Sequence, residues 1–356
     1  MIFRSGFRRD LGRSFGATLV LLLIIVVTVL LIRTLRQVAT GRVNPTEIVQ
    51  VLGLTVLGYS PIILVLSLFI AATSALSRMY ADSEMVIWQT AGLSLSDFIR
   101  PLYTFAAPIL AIIALLTLIG WSWSGAQLRA LQYRYQQRND VDRVAPGQFQ
   151  QTSSGSRVLY IDRNAENDAG SHLFVASFEN ERQSVITALA GRTFMQNDWR
   201  VLQLDYGQRL EKQLSDGALR LSEFVSYGAV LENLAPDYQT RFHVRSVDTL
   251  SLLRNPIAVY QGEFFWRVGL IVSAALCLLL SLAMTRVNPR VGRSAGIMWA
   301  ILTFIVYFNM MNIGQSWITD GRISALSMFA LLHGGVLIFS LIWLRKRQRL
   351  FFRGCP

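Results

Sequence analysis

Two carboxylates, Asp82 and Glu84, stand just ahead of Met85, Val86 and Trp88, and no basic residue occurs between Arg78 and Arg100. The pattern predicts a short helix lying across a membrane surface. Asp82 would cap its start, Glu84 would sit at the positive end of its dipole, and Gly92 would supply the C′ stop. One use for such a helix is to rest on lipid by its apolar side. The lack of cations to meet anionic headgroups favours the other use, docking of an acidic, Trp-bearing helix into a basic groove of a cytoplasmic partner.

A second set is cationic. Arg33, Arg36 and Arg42 follow a charge-free run, Ser14 to Ile32, with only Glu47 nearby. Guanidinium forks bind phosphate oxygens in pairs, so this cluster fits an anion trap for a lipid with phosphorylated headgroups. The plainer alternative is a solvated helix end with snorkelling side chains. Other chemistries are excluded. The two lysines follow Glu211 and Arg345, so there is no Gly-Lys-Ser/Thr phosphate loop and no ATP hydrolysis by that route. His172, His243 and His333 lack metal-ligand spacing, and no Gly-x-Ser-x-Gly elbow occurs. We expect no catalytic residues, no metal and no cofactor. His333 falls near the middle of an apolar run, as a polar helix contact or a proton site.

The elements that must position these residues are six charge-free stretches: Ser14 to Ile32, Ile48 to Ser77, Pro101 to Leu128, Val268 to Thr285, Ser294 to Thr319 and Ile323 to Leu344. A bilayer core needs about 20 apolar residues per helix, and each stretch comes near that. At 52% hydrophobic and 16% charged, the composition fits a polytopic membrane protein and not a soluble one. Residues 128–262 carry fifteen basic residues against fifteen acidic, so the net charge of +12 belongs wholly to the membrane half. A nucleic-acid-binding protein would place that surplus on a folded soluble face. Arginines before the first stretch, between the fourth and fifth, and with Lys346 after the sixth put both termini in the cytoplasm and the insert outside. Arg33 and Arg36 occupy what would be a cleavage region, so the first stretch reads as a retained helix. Cys277 and Cys355 are not expected to pair, and the insert, without Cys, must fold by packing.

Inside the insert, alternation over residues 157–162, 172–178, 199–206 and 219–224 predicts short strands. Ser153-Ser-Gly155, Asp168-Ala-Gly170, Asn197-Asp198 and Asp216-Gly217 supply the turns. Strands of this spacing predict a sandwich or jelly roll. The expected class is an α+β membrane protein. Residues 1–128 hold three helices with the acidic segment near 80–92, residues 129–262 an exported β-jelly-roll domain, and residues 263–356 three helices and a basic tail. Glu263 and Arg267 read as an i,i+4 ion pair at the fourth helix's start.

Three segments carry a resemblance. Tyr80-Ala-Asp-Ser-Glu84 with Ala91-Gly-Leu-Ser94 is similar to the coupling helix of the lipopolysaccharide export permeases, the LptF/LptG family. Pro146-Gly-Gln-Phe-Gln-Gln151 with Val158-Leu-Tyr-Ile161 resembles the start of that family's periplasmic jelly roll. Val287-Asn-Pro-Arg-Val-Gly-Arg293 resembles its connection between helices four and five, in the LptF type. With the three-insert-three plan, the resemblance spans essentially the whole chain. It implies a bacterial inner-membrane ABC transporter: an LptF–LptG heterodimer, two copies of the ATPase LptB below, and LptC alongside. Such a transporter extracts lipopolysaccharide and passes it to a periplasmic bridge of jelly rolls, with ATP hydrolysed on LptB. Carried over, Glu84 is the coupling acid, with Asp82, Met85 and Trp88 beside it. Arg33, with Arg36 and Arg42, occupies the region that meets lipid phosphates. The lateral gates pair the first helix of one permease with the fifth of the other, and this chain would contribute Leu30 on its first helix and Tyr307, Met310, Met311 and Ile313 on its fifth. Flexible Met side chains suit variable acyl chains, and ordinary helix packing is the other reading of Met310 and Met311. Two further functions remain open: an ABC permease for another lipid or lipoprotein, and a non-transporting envelope scaffold.

Overall fold

The computed structural model describes residues 2–39, 45–137, 149–151, 157–161, 173–179, 182–196, 199–213, 217–233, 244–255, 257–285 and 293–353. Each of the six apolar stretches falls, but for a residue or two at its ends, in a helix long and apolar enough to cross a membrane. The first span lies in α1 (Ile2–Ala39) and the second is α2 (Ile48–Ala81). A short α3 (Glu84–Thr90) follows. The third span combines α4 (Ile99–Leu115) and α5 (Trp121–Gln137) across a π turn, Leu116–Gly120. After the insert come α6 (Thr249–Arg254), the fourth span α7 (Ala258–Met284) and the fifth span α8 (Arg293–Thr319). The sixth span combines α9 (Ala325–Phe329) and α10 (Gly335–Arg353) across a second π turn, Ala330–Gly334.

One apolar core runs through the helical unit, from Phe7 and Leu11 through Leu68, Phe98 and Leu270 to Met311 and Leu344. The fourth span is its central post: 72% of its most apolar stretch is buried, against 6% for the first span and 17% for the sixth. Small residues set the closest approach. A Cβ at Gly262 would meet Thr319 Oγ1 at 2.5 Å, so the fourth and fifth spans touch nearly backbone to backbone there. The first, fifth and sixth spans turn much of their apolar surface outward, where only lipid or other helices can cover it.

The chain divides into two compact units: residues 1–32, 50–128 and 243–356 form one, residues 33–49 and 129–242 the other. The expected boundary at residue 262 therefore moves. The return segment from 244 belongs to the helical unit because its backbone carbonyls and Thr249 are tied to Arg267.

In the second unit, β1 (Phe149–Gln151), β2 (Arg157–Ile161), β3 (Leu173–Glu179), β4 (Arg182–Gln196), β5 (Trp199–Gln213) and β6 (Leu219–Asn233) form one antiparallel sheet in sequence order. The α+β class is thus observed. Among the described strands the connections are those of a meander, without the long returns of a Greek key. Three strands run to fifteen residues, and β4 had no clean alternation to announce it. Register places Leu173 opposite Ala188 and Val175 opposite Ile186. These four and Leu204 form a small buried core, with Phe224 and Tyr227 packed against it. A one-residue slip would turn that whole set to the other face.

Candidate functional site

The acidic helix is built from its flanks. Ser83 starts it in the left-handed region (φ 59°) with no side-chain cap, so Asp82 is not the cap that its sequence position suggested. Asp82 lies one step too early, and its N–H bonds back to Arg78 at 2.8 Å, prolonging the last turn of α2. The other end closes as expected. Gly92 takes φ +91° and donates to Gln89, while Leu93 donates to Trp88, the paired bonds of a Schellman stop. Ser94 N–H then bonds the Asp97 carboxylate at 2.8 Å and starts the next helix.

Met85 is fully buried, in the cluster that holds Phe7, Met79 and Phe98. It therefore anchors α3 and is not part of the outward apolar surface that the sequence suggested. That surface is formed by Val86 and Ile87, the latter 62% exposed, with Trp88 half-buried beside them. Glu84 is exposed and makes no hydrogen bond or ion pair with the described residues. An anchored helix thus presents an exposed carboxylate and a β-branched patch to whatever approaches it.

Arg33 and Arg36 are exposed on successive turns near the end of α1. Arg42 lies outside the described residues. On the fifth span the four candidate residues divide between two faces. Tyr307 and Met311, one turn apart, face the core; Met310 and Ile313 face outward, with Met310 45% exposed. Leu30 is buried. Of these five candidates, Met310 and Ile313 alone are on the outward side of the bundle.

Sequence reasoning missed two features. The first is a groove of about 880 Å³ on the β sheet, lined by Phe149, Tyr160, Phe174, Leu189, Tyr206 and Val225 among others. Its floor needs Gly207: a Cβ there would collide with the Thr187 carbonyl and the Phe224 ring. Tyr206 beside it takes a positive φ of 52°. The visible signal was the excess of aromatic residues on the alternating strands. The second is a polar hub deep in the helical unit. Arg267 is paired with Glu263 at 3.1 Å and also donates to Ser122, Thr249, Arg245 O and Val247 O. Glu263 in turn accepts from Trp121 Nε1 at 2.9 Å and Gln315 at 3.2 Å. The i,i+4 spacing gave the pair, but not the four segments it joins.

Among the described residues, six helices long and apolar enough to cross a membrane, an antiparallel β region inserted in sequence between the third and fourth, and a short anchored acidic helix between the second and third mark a polytopic membrane protein. The chain belongs to the family "Lipopolysaccharide export system permease LptF/LptG", whose description matches residues 7–346. It is similar to the lipopolysaccharide export system permease protein LptF of Escherichia coli K12, with 26% identity over 304 residues, 84% of this chain and 82% of that one. The LptF proteins of E. coli O157:H7 and Shigella flexneri match it to the same extent. Members of this family are non-catalytic transmembrane subunits of an ABC transporter and multi-pass proteins of the inner membrane.

Proposed function

We propose that this chain is the LptF-type half of a lipopolysaccharide exporter. It pairs with an LptG-type permease, stands on two copies of the LptB ATPase and works with LptC. Both termini and α3 lie in the cytoplasm and the β sheet lies in the periplasm, as the arginine distribution supports. The observation that carries this reading is α3 itself. A seven-residue helix fixed by one buried side chain, Met85, leaves its acid and apolar patch free to dock.

Acyl chains enter between the two permeases along the outward faces of the first and fifth spans, where Met310 and Ile313 stand. Arg33 and Arg36, with Arg42, hold the phosphates at the outer rim. Closure of the ATPases moves α3, narrows the cavity and weakens both sets of contacts, since a change of state expels a ligand only through a difference in affinity. The apolar groove of the β sheet then receives the acyl chains as the first link of the periplasmic bridge. Pull-down of the intact chain from its native membrane tests the assembly. LptB, LptC and an LptG-type partner should copurify, and Glu84→Ala should lose most of the ATPase. Normal recovery of LptB with Glu84→Ala would overturn the docking role.

A further inference from the structure

The residues on either side of α3 are bonded to the ends of other spans. Before it, Arg78 pairs with Asp10 of the first span. Two residues on, Tyr80 OH accepts from the Arg347 guanidinium at 2.9 Å, which also lies 5.3 Å from the ring centre. After α3, Ser96 Oγ accepts from Gln348. Arg347 and Gln348 are neighbours in the last turns of α10, so both flanks of α3 are tied to one place on the sixth span. Arg347 reaches further. It donates to the carbonyls of Leu282 (3.2 Å) and Ala283 (3.0 Å), the final turn of α7. Those carbonyls have no partner within their own helix, and a cation there also suits the helix dipole.

The sixth span has a second polar contact at its middle. The π turn at Ala330–Gly334 directs His333 inward, and Tyr307 OH on the fifth span lies 2.6 Å from His333 Nδ1. His333 is 3% exposed, packed by Phe329 and Phe265, and its Nε2 is buried with no hydrogen-bond partner among the described residues. A Cβ at Gly269 would stand 2.9 Å from that nitrogen, so the ring is wedged against the central fourth span. A π turn is one hydrogen-bond register away from ordinary α-helix, and Gly334 and Gly335 follow the ring with open space around them. Unlike the fourth span, the sixth is mostly unburied within this chain.

We propose that the sixth span is a connecting rod, with Arg347 and His333 as its positioning residues. Displacement of α3 passes through Tyr80 and Ser96 into the end of α10, shifts the π turn, and reaches the fifth span through the His333–Tyr307 bond. The proposal rests on the export reading given above, in which α3 docks the ATPase. Both positioning residues bond other spans of this same chain, so their loss should affect the coupling between hydrolysis and export and spare assembly.

The test uses the full reconstituted complex in proteoliposomes, measuring ATP hydrolysed and lipopolysaccharide released to a periplasmic acceptor. Tyr80→Phe and His333→Leu should each copurify with the ATPase in normal amount and hydrolyse ATP, yet release about five-fold less lipopolysaccharide per ATP, the low end of ordinary coupling energies. The double variant should be no worse than either single one, since both interrupt one route. His333→Asn, which keeps an acceptor near the Nδ1 position, should restore much of the loss. Wild-type release per ATP in both single variants, or fully multiplicative losses in the double variant, would overturn the rod. A wild-type complex that releases no lipopolysaccharide with ATP would instead sink the export reading on which the rod rests.

Discussion

Glu263 and Arg267 lie one turn apart in α7, joined at 3.1 Å, with the guanidinium wholly withdrawn from solvent. Every hydrogen-bonding edge of the pair is used, by Trp121, Gln315, Ser122, Thr249 and the carbonyls of the return segment. Removing one partner strands the other in a low-dielectric site. Arg267→Met should therefore cost about 3–5 kcal/mol and lower the thermal midpoint in detergent or nanodiscs. Glu263→Gln, which keeps an acceptor for Trp121, should cost less. Equal, small shifts for both would contradict the assignment of the hub as the joint of four segments.

Met85 and Ile87 separate anchoring from docking on the same short helix. Met85→Ala empties a closed site in the core and should destabilise the protein by about 2–5 kcal/mol, read as a loss of folded material on size exclusion. Ile87→Ala should leave folding unchanged and reduce recovery of the ATPase in pull-downs. If Met85→Ala folds normally while Ile87→Ala aggregates, the two faces of α3 have been exchanged.

The sequence made the six spans visible because a bilayer demands long charge-free runs, and it made the β insert visible through period-two alternation and turn residues. It showed the stop of α3 at Gly92 but misplaced its start, because the helix opens at a left-handed Ser83 with no side-chain cap, one residue after Asp82. What it could not show is which side of each span is packed. In lipid both sides of a helix are apolar, so the contrast that marks a buried face in water is missing. Met310 and Met311 look alike as letters, yet one faces outward and the other is fully buried. The groove and the ties of Arg347 were hidden for a different reason: each depends on contacts between residues far apart in the chain.

Arg33 and Arg36 are exposed on adjacent turns. Replacing both by Glu should reverse the local charge, reduce photocrosslinking to lipopolysaccharide, and leave copurification of the partner subunits unchanged. Unchanged crosslinking would remove the anion-trap role and leave the two arginines as snorkelling ends of α1.

Tyr206 and Leu189 face the groove of the β sheet from neighbouring strands. A photocrosslinking residue at either position should capture lipopolysaccharide when ATP is supplied to the complex. The same residue at Ser222, which does not line the groove, should capture much less. Equal capture at all three sites would mean that the groove is not the acyl-chain path.

The most direct measurement is ATP-driven transfer of lipopolysaccharide from proteoliposomes to a soluble periplasmic acceptor. It compares the complex holding this chain with the same complex carrying Glu84→Ala. Export coupled through α3 predicts transfer that needs ATP in the wild type and falls to near background in the variant. Transfer that proceeds without ATP, or equally well with Glu84→Ala, would contradict it.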